Sequence, residues 1–487
     1  MTADSSHIDL QAAAKEIMRQ YGFEPDFPPA VEQQLAQLRA NPPALTAGGD
    51  VRDLRKLLWS SIDNDTSRDL DQIEVVERLP SGDVKVLVGI ADLDVFIPKQ
   101  SPIDQHAARE TTTVYAGVRN FPMLPEELST GKTSLLENQD RLSVVIEFVV
   151  DGGGHVKTSD VYRALVRNQA QLQYNSVGAW LEGTGVAPPK VAASADLQAQ
   201  LHLQDEVAQK LKSQRYENGA LNLQTDELHA LLLNQQVVDV VNQQKNHATE
   251  LIEDFMIAAN GVVARMLEKV SSLRRIVKQP ERWDRIVQLA AMHGEKLPAQ
   301  PDSKALNDFL VKLKASDPDH FADLSLAVIK LIGPGEYVLE RPGDSAPGHF
   351  GLAVQDYTHS TAPNRRFPDI VTQRLIKALL TGRASPYSDD ELSAIAANCT
   401  EKENAAKKVE REMSKRLAAV AMEKRIGTLF DAIATGVTPH GTFVRVLQPR
   451  IEGLLAQGQQ GVDVGDKLRV KLIRTDPQRG FIDFARA

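Results

Sequence analysis

Three aspartates, Asp63, Asp69 and Asp71, are the residues whose types and spacing suggest chemistry most directly. Asp69 and Asp71 enter a predicted strand that continues through Ile73 and Val75, and in an extended chain residues two apart project from one face, about 6.5–7 Å apart. A short polar loop can bring Asp63 toward this pair. Such acids repel one another unless a cation neutralises them, and their oxygen ligands favour Mg²⁺ or Mn²⁺ over zinc. The alternative is a solvated acidic loop before a hairpin.

Two adjacent arginines, Arg365 and Arg366, lie directly before a predicted helix whose apolar residues include Ile370 and Val371. The N-terminus of a helix attracts anions through its free N–H groups and its dipole. Guanidinium groups add paired hydrogen bonds to phosphate oxygens. The segment therefore predicts a phosphate site, although a capped helix with two surface arginines would contain the same residues.

Two further segments carry groups that suit a nucleotide. Tyr115 lies in a predicted loop and can stack on a base, unless it is a core tyrosine. Glu253 and Asn260 are two helical turns apart, so they share a face that can contact a sugar or phosphate, unless they form the polar side of an amphipathic helix. Together with the acids and arginines, these groups favour metal-assisted phosphodiester chemistry on a single-stranded nucleic acid.

The composition limits the class of protein. The chain has 487 residues, 42% of them hydrophobic, and its net charge of −9 argues against nonspecific coating of nucleic acid while allowing a local basic groove. Cys399 is the only cysteine, so no internal disulfide can form and a reducing cytoplasm fits. The first residues lack the pattern of a secretory signal, and no apolar stretch reaches membrane-spanning length. We therefore expect a cytoplasmic protein without a membrane segment.

The sequence pattern divides the chain into three predicted units. Residues 1–51 hold two short amphipathic helices and a linker. Residues 52–425 begin as mixed α/β, with a hairpin over 73–90 and a strand over 142–150, and become mostly helical after about residue 200, with a charged helix over 405–424. Residues 426–487 contain short strands, predicted over 441–447, 453–455, 467–473 and 481–484 and separated by Gly, Pro and Asp, which is the size and pattern of a small closed barrel. We predict an α+β multidomain fold.

Several segments, taken in order, resemble the ribonuclease II family of exoribonucleases, over roughly residues 52–425. The segments are Ser61 to Asp71, 89–92, 121–129, 215–221, 251–260 and 359–369. Residues 426–487 resemble an S-one-type RNA-binding domain with an OB fold, through 436–444 and 464–466.

The resemblance implies roles for individual residues. Asp63, Asp69 and Asp71 would hold the catalytic Mg²⁺, with activity depending most on Asp71 and with Arg365 stabilising the scissile phosphate. Gln72 occupies the position of a fourth family aspartate, so it can offer an oxygen ligand but removes one charge, and the number of bound metals stays open. The implied RNA contacts are Arg366, Tyr115, Tyr174, Glu253 or Asp254, Glu410 and, in the C-terminal barrel, His440, Phe443 and Arg445.

The resemblance further implies a hydrolytic, Mg²⁺-dependent 3′→5′ exoribonuclease, active as a monomer, that takes single-stranded RNA into a pocket and releases nucleoside 5′-monophosphates. The family's type enzyme carries two cold-shock barrels before its catalytic region, and residues 1–51 are too few for them. We expect this segment to be a helix-turn-helix-like module, and the looser entrance to accept partly paired RNA. Gln72 motivates a rival from another class, a catalytically impaired RNA-binding protein, and a DNA exonuclease is a third alternative.

Overall fold

The computed structural model describes residues 8–224, 227–233, 236–243, 245–318, 321–439 and 441–487, with the backbone alone between 227 and 243. In chain order the strands are β1 (Val51–Asp53), β2 (Ser60–Asp63), β3 (Gln72–Arg78), β4 (Val84–Ala91), β5 (Val114–Tyr115), β6 (Asn120–Phe121), β7 (Asp140–Val150), β8 (Val156–Arg167), β9 (Ala170–Gln173), β10 (Glu227–Leu233), β11 (Gln236–Gln243), β12 (Ser272–Ile276), β13 (Glu336–Glu340), β14 (Leu429–Thr438), β15 (Gly441–Leu447), β16 (Arg450–Gln457), β17 (Lys467–Asp476) and β18 (Phe481–Arg486). The helices are α1 (Leu10–Gln20), α2 (Pro29–Ala40), α3 (Pro102–Glu110), α4 (Tyr174–Leu181), α5 (Pro189–Ala192), α6 (Ala195–Glu217), α7 (His247–Met266), α8 (Trp283–Met292), α9 (Ser303–Ser316), α10 (Phe321–Ile332), α11 (Phe367–Leu380) and α12 (Asp389–Glu423).

A seven-stranded mixed sheet with the order β1-β8-β7-β4-β3-β2-β9 lies at the centre of the larger unit. Five consecutive residues of β7, from Leu142 to Ile146, are buried, which requires cover on both faces. Phe148 of β7 meets Phe255 of α7 edge to face, with ring centroids 6.5 Å apart. Each such buried side chain contributes about 1.5–3 kcal/mol, so the sheet is a stable base for groups at its rim.

Several strand ends meet at one edge of this sheet. β2 and β9 are parallel and end there together, since Asp63 lies opposite Gln173. β3 begins there and β4 ends there, since Gln72 lies opposite Ile90. The segment before β3 is fixed by the backbone N–H of Leu70, which donates to the Ser134 hydroxyl at 2.9 Å. This edge therefore gathers Asp63, Asp71 and the start of α4 although they are far apart in sequence.

The arginine segment reaches the same edge from the opposite end of the chain. α11 begins at Phe367, directly after the paired arginines, as the sequence predicted. The Phe367 N–H donates to the Thr111 carbonyl at 2.8 Å, and the Thr113 N–H donates to the Arg365 carbonyl at 3.0 Å. These bonds fasten the arginine segment to the chain that enters the β5–β6 hairpin.

The two N-terminal helices pack into different hydrophobic clusters. Ile17 and Met18 of α1 pack with Met413 of α12, whereas Val31 and Leu35 of α2 belong to the main core. The long helix α12 thus holds α1 against the larger unit. Helical structure is confirmed for this segment, and its helix-turn-helix-like character stays a prediction.

The C-terminal strands form a closed five-stranded barrel in the order β14-β15-β16-β18-β17. Alternate residues of β15 face inward, so Val444 and Val446 are fully buried while Phe443 and Arg445 face outward. Met422 of α12 joins the barrel core, so one helix contacts both units. Within the described part of the chain, no helix is long and apolar enough to cross a bilayer.

Candidate active site

Asp71 is the acid that the fold fixes most firmly. It is 2% exposed, and its Oδ1 accepts from the backbone N–H of Asn364 at 2.8 Å while its Oδ2 accepts from Nε of Arg365 at 3.2 Å. Burial raises the pKa of Asp71 to about 7, and the charge of Arg365 and the N–H of Asn364 oppose that shift. The structure therefore brings Asp71 and Arg365, two candidate residues from opposite ends of the chain, into direct contact.

Arg365 contacts this carboxylate through Nε, and the rest of its guanidinium group is open to solvent. Its side chain is 46% exposed, and within the described part of the chain only its Nε forms a side-chain hydrogen bond. Burial disfavours its charge, but Tyr115, Asp71 and Asp63 outweigh that effect and hold the pKa of Arg365 above its usual range. A permanent cation with free terminal amino groups therefore faces the open side of the site.

Arg366 turns the other way. Its side chain is 22% exposed, and its Nη2 donates to Oδ1 of Asp369 at 2.8 Å. The same oxygen accepts from the backbone N–H of Ala362 at 2.8 Å. Arg366 thus braces the loop against the first turn of α11, which differs from the phosphate contact that the sequence suggested for both arginines.

Asn260 of α7 anchors the loop that leads to the arginines. It is 2% exposed, and its Oδ1 accepts from the N–H and hydroxyl of Ser360 at 2.9 and 3.0 Å. Its Nδ2 donates to the hydroxyls of Tyr357 and Thr361, both at 3.3 Å. The sequence suggested a sugar or phosphate contact for Asn260, but these bonds make it an internal support.

Asp63 and Asp69 flank Asp71 at the edge of the sheet. Asp63 ends β2 and accepts from the N–H of Asn64 at 2.7 Å. Burial raises the pKa of Asp69, the charge of Arg365 opposes this, and the charge of Asp63 adds to it. The three acids and Arg365 therefore lie within one electrostatic environment.

The donor set at this edge fits a divalent cation. The ligands would be carboxylate oxygens, and a bound cation would offset the free-energy cost of burying the charge of Asp71. Within the described residues no three His, Cys, Asp or Glu side chains are already grouped as metal ligands. Both carboxylate oxygens of Asp71 accept hydrogen bonds, from Asn364 and from Arg365. Gln72 begins β3 and is 7% exposed.

Glu74 is a residue that the sequence analysis missed. It lies on the same face of β3 as Gln72, it is 0% exposed, and neither carboxyl oxygen has a hydrogen-bond partner in the described structure. Burial holds the pKa of Glu74 well above its usual value, and the charge of Asp63 adds to the shift. The available signal was one acid within an apolar strand, between Ile73 and Val75.

Two tyrosines face the acid–arginine site, which consists of Asp63, Asp69, Asp71 and Arg365. Tyr115 is 40% exposed, and its backbone N–H donates to Oε1 of Glu410 at 3.1 Å. Burial raises the pKa of Tyr115. The charge of Arg365 opposes this shift, and the charges of the three aspartates add to it. Tyr174 begins α4 directly after β9, and burial followed by the charges of Asp63 and Glu74 raises its pKa. Both rings therefore border the space above the acids.

The predicted acids of α7 are placed differently from each other. Asp254 is buried and pairs with Arg215 of α6 at 2.5 Å. Burial raises the pKa of Asp254 to about 6, and the charge of Arg215 opposes the shift. Glu253 is half-buried, pairs with Lys245 at 2.5 Å and acts electrostatically on Tyr174. Glu253 is thus the acid that borders the open site.

Two of the predicted barrel contacts, Phe443 and Arg445, lie on a strand of the C-terminal barrel rather than on the seven-stranded sheet. Phe443 and Arg445 face outward from β15. Arg445 forms ion pairs with Asp323 of α10 and, at 3.5 Å, with Glu452. His440 lies outside the described residues.

Comparison with known proteins identifies the family. The model of the RNB domain matches residues 51–382, and that of the RNase II-type exonuclease C-terminal S1 domain matches 428–487. Ribonuclease R of Thermotoga maritima is 31% identical over 89% of this chain and 64% of its own length, so the chain spans less than two thirds of that relative.

Solved structures show the same fold. RNase R of Mycoplasma genitalium, in complex with ribose-methylated single-stranded RNA, has a TM-score of 0.87 and 23% identity over 98% of this chain and 78% of its own. The same protein with double-stranded RNA gives 0.85 and 24%, over 98% and 83%. Yeast Ssd1, described as a pseudonuclease, gives 0.73 and 16%, over 97% and 58%. Because the RNB model alone matches more than half of the chain, this protein belongs to the RNB-domain family of ribonucleases R and II and carries that family's C-terminal S1 domain.

Proposed function

We propose that this chain is a Mg²⁺-dependent hydrolytic 3′→5′ exoribonuclease that degrades single-stranded RNA to nucleoside 5′-monophosphates. The bond between buried Asp71 and half-exposed Arg365 carries the proposal. It joins an acid at the sheet edge to a cation 294 positions away in sequence. The family membership supports the same reaction.

Asp63, Asp69 and Asp71 would hold the cation, with the amide oxygen of Gln72 as a further donor, and Mn²⁺ could replace Mg²⁺. The bound cation would activate a water molecule and neutralise charge at the scissile phosphate. Arg365 would bind a non-bridging phosphate oxygen through its free terminal amino groups, since Nε is already engaged by Asp71. Arg366 would keep the loop in place through Asp369.

The aromatic side chains would hold the 3′ end of the RNA. Tyr115 would stack on the terminal base, which contributes about 1–3 kcal/mol per base. Glu410 would hold Tyr115 in place by accepting from its backbone N–H. Tyr174 would contact the next nucleotides, with Glu253 at their ribose hydroxyls and Asp254 supporting α7 from behind through Arg215. In the barrel, Phe443 and His440 would contact the incoming strand, whereas Arg445, the third residue suggested by the resemblance, is already paired with Asp323 and Glu452.

A labelled oligoadenylate tests the proposal. With Mg²⁺, a 5′-labelled RNA should shorten progressively, and chromatography of internally labelled RNA should show nucleoside 5′-monophosphates. EDTA and Asp71→Asn should each stop the reaction. A DNA oligonucleotide of the same length should persist, and its equal degradation would favour the DNA exonuclease instead.

We further propose that partly paired RNA is a substrate. RNase R of M. genitalium has been solved in complex with single-stranded and with double-stranded RNA. A duplex with a short 3′ overhang should therefore be degraded into its paired region. Stalling at the junction, as early as for a ribonuclease II with cold-shock barrels, would refute this extension.

The second candidate is a catalytically impaired RNA-binding protein. Gln72 favours it, because one carboxylate of the family pattern is missing, and so does the fold likeness to Ssd1, described as a pseudonuclease. In the oligoadenylate assay this candidate predicts a shifted but intact RNA.

We place the units at 1–51, 52–425 and 426–487 and propose that the protein acts as a cytoplasmic monomer.

A further inference from the structure

A cavity of about 320 Å³ lies between the N-terminal helices and the catalytic unit, outside the acid–arginine site. One wall comes from the N-terminal segment, with Phe27 and Glu32, and the other from α3 and the β5–β6 hairpin, with Phe121. Sites for small molecules begin at about this volume.

The floor of the cavity holds two unsatisfied polar atoms. His106 and Glu110 are one turn apart on α3, both line the cavity, and they are 2% and 4% exposed. Within the described structure, Nδ1 of His106 and Oε1 of Glu110 have no hydrogen-bond partner. Since buried polar atoms are normally hydrogen-bonded, two such atoms in the lining of one cavity indicate a ligand.

The charges of the lining indicate the sign of that ligand. Glu32 and Glu126 are exposed at the rim and form no ion pair with the described part of the chain, and Glu110 at the floor forms none either. The remaining acids of the lining are already paired: Glu24 with Arg109, Asp26 with Lys15 and Glu127 with Arg39. Burial lowers the pKa of His106 to about 4, so its imidazole is neutral at pH 7. Arg119, which lies over the Phe121 ring, also lines the cavity and forms no ion pair with the described part of the chain. Three unpaired acids therefore face one unpaired arginine, and the net unneutralised charge is negative.

An ammonium group matches this lining better than a metal ion. Within the described residues no three metal-ligating side chains are grouped, and the cavity is far larger than one ion. The Phe27 ring, which lies 4.8 Å from that of His106, offers an aromatic face to a cation. We propose that this cavity binds a small aliphatic di- or polyamine, with one ammonium donating to Glu110 and His106 and another facing Glu32 and Glu126.

The cavity shares a wall with the proposed active site. The hydroxyl of Thr112, which lines the cavity, donates to the Arg365 carbonyl at 3.4 Å. Phe121 pairs with Val114, next to Tyr115. A bound amine would therefore stiffen the segments that carry Arg365 and Tyr115, so occupancy should also tighten RNA binding.

Calorimetric titration of the full, RNA-free chain with spermidine at constant ionic strength tests the site. We expect one site per chain, about tenfold weaker in Glu110→Gln and about two- to fivefold weaker in each of Glu32→Gln and Glu126→Gln. Glu281→Gln removes an exposed acid elsewhere and should change nothing. Putrescine should bind, whereas its neutral analogue 1,4-butanediol should not.

Three results would overturn the proposal. They are no binding by the wild-type chain, binding that none of the three cavity variants weakens, and displacement of spermidine by Mg²⁺ at matched ionic strength. The rim variants keep the test decisive if Glu110→Gln fails to fold, because both rim acids are exposed. The titration contains no RNA, so its outcome is independent of whether the chain proves to be an exoribonuclease.

Discussion

The acid–arginine site and the C-terminal barrel use their arginines differently. At the sheet edge, Arg365 is bound to Asp71 through Nε alone and keeps its terminal amino groups free in the described structure. On the barrel, Arg445 has both terminal amino groups in ion pairs, with Asp323 and Glu452, and its side chain is only 17% exposed. The first arrangement leaves a cation for a ligand, whereas the second joins the barrel to α10. Charge alone therefore does not identify a phosphate contact; the unused donors do.

Asp71 should show the largest effect on the sheet-edge side of this comparison. Asp71→Asn keeps the shape of the side chain but removes a charge from the cation site and from the bond to Arg365, so kcat should fall by about 10³-fold or more. Single-turnover decay of 5′-labelled oligoadenylate in excess enzyme measures the change. Chelation of the divalent cation should reduce wild-type activity to the same level.

Asp254→Asn is the matched control for Asp71, since it removes the other aspartate whose pKa burial raises strongly. It should lower stability by leaving Arg215 without its partner, while kcat of the folded fraction changes less than tenfold. Equal losses of kcat in the two variants would contradict a special role for Asp71.

Substitutions of the two adjacent arginines should give the next largest effect, and the two variants should differ in kcat and in melting temperature. Arg365→Lys removes the fork that faces the phosphate, so kcat should fall by about 10²-fold with little change in melting temperature. Arg366→Lys breaks the brace to Asp369, so it should lower the melting temperature, and lost activity should return in part at lower temperature. The kinetics and melting of both variants, measured side by side, decide this, and a reversed pattern would exchange the roles given to the two residues.

Local pattern was enough to predict much of the fold. Strand β15 was predicted with its exact bounds, 441–447, and alternation placed β3, β4 and β7 within two residues. The long helix α12 was predicted only over 405–424 but begins at Asp389. The prediction missed two signals, the capping box of Ser388 and Glu391 and the helical spacing of the buried residues Leu392, Ala396 and Cys399. The start of this helix was therefore missed although the sequence marked it.

The sequence predicted a set of candidate site residues, of which the structure brings Asp71 and Arg365 into contact, but it did not predict how their side chains are oriented. The spacing of Asp63, Asp69 and Asp71 suggested a shared cation, and the paired arginines suggested a phosphate. Which arginine faces outward depends on Asp369, and which acid of α7 is occupied depends on Arg215 of α6. Such choices are made by contacts between distant segments, and a single sequence contains no local signal for them.

Glu74 sharpens the comparison within the site, because it is buried like Asp71 but has no partner. Glu74→Gln should raise the free energy of unfolding by about 1–3 kcal/mol in metal-free buffer at pH 8. The pKa of Glu74 is raised in the folded state, so the folded wild type holds a proton that the unfolded chain releases above about pH 4.5. The wild type therefore loses stability as pH rises from there through the folded pKa, and the gain of the variant should shrink toward pH 5.

Chemical denaturation of the wild type and of Glu74→Gln at pH 5 and pH 8 measures the difference in their free energies of unfolding. Taking this difference cancels the opposite pH effect of the buried histidines, because both proteins contain them. Glu147→Gln on β7, which β4 separates from β3 in the same sheet, is the control, because Glu147 accepts from the Tyr162 hydroxyl at 2.7 Å. That variant should gain nothing at either pH. A Glu74→Gln variant that is equally or less stable at pH 8 would mean that the carboxyl has a favourable partner.

Arg445 should give the smallest effect and tests the barrel side of the comparison. An arginine that contacts a phosphate contributes about one unit to the slope of log affinity against log salt concentration. Because Asp323 and Glu452 already occupy its terminal amino groups, we expect Arg445→Ala to leave that slope within about half a unit of the wild type while slightly lowering the melting temperature. Asp323→Asn leaves the arginine in place but loosens the same junction, so its melting temperature should fall by a similar amount. RNA-binding titrations at several salt concentrations, with Asp71→Asn as the common background, measure the slope; a decrease of one full unit would place Arg445 on the RNA and align the barrel with the sheet edge.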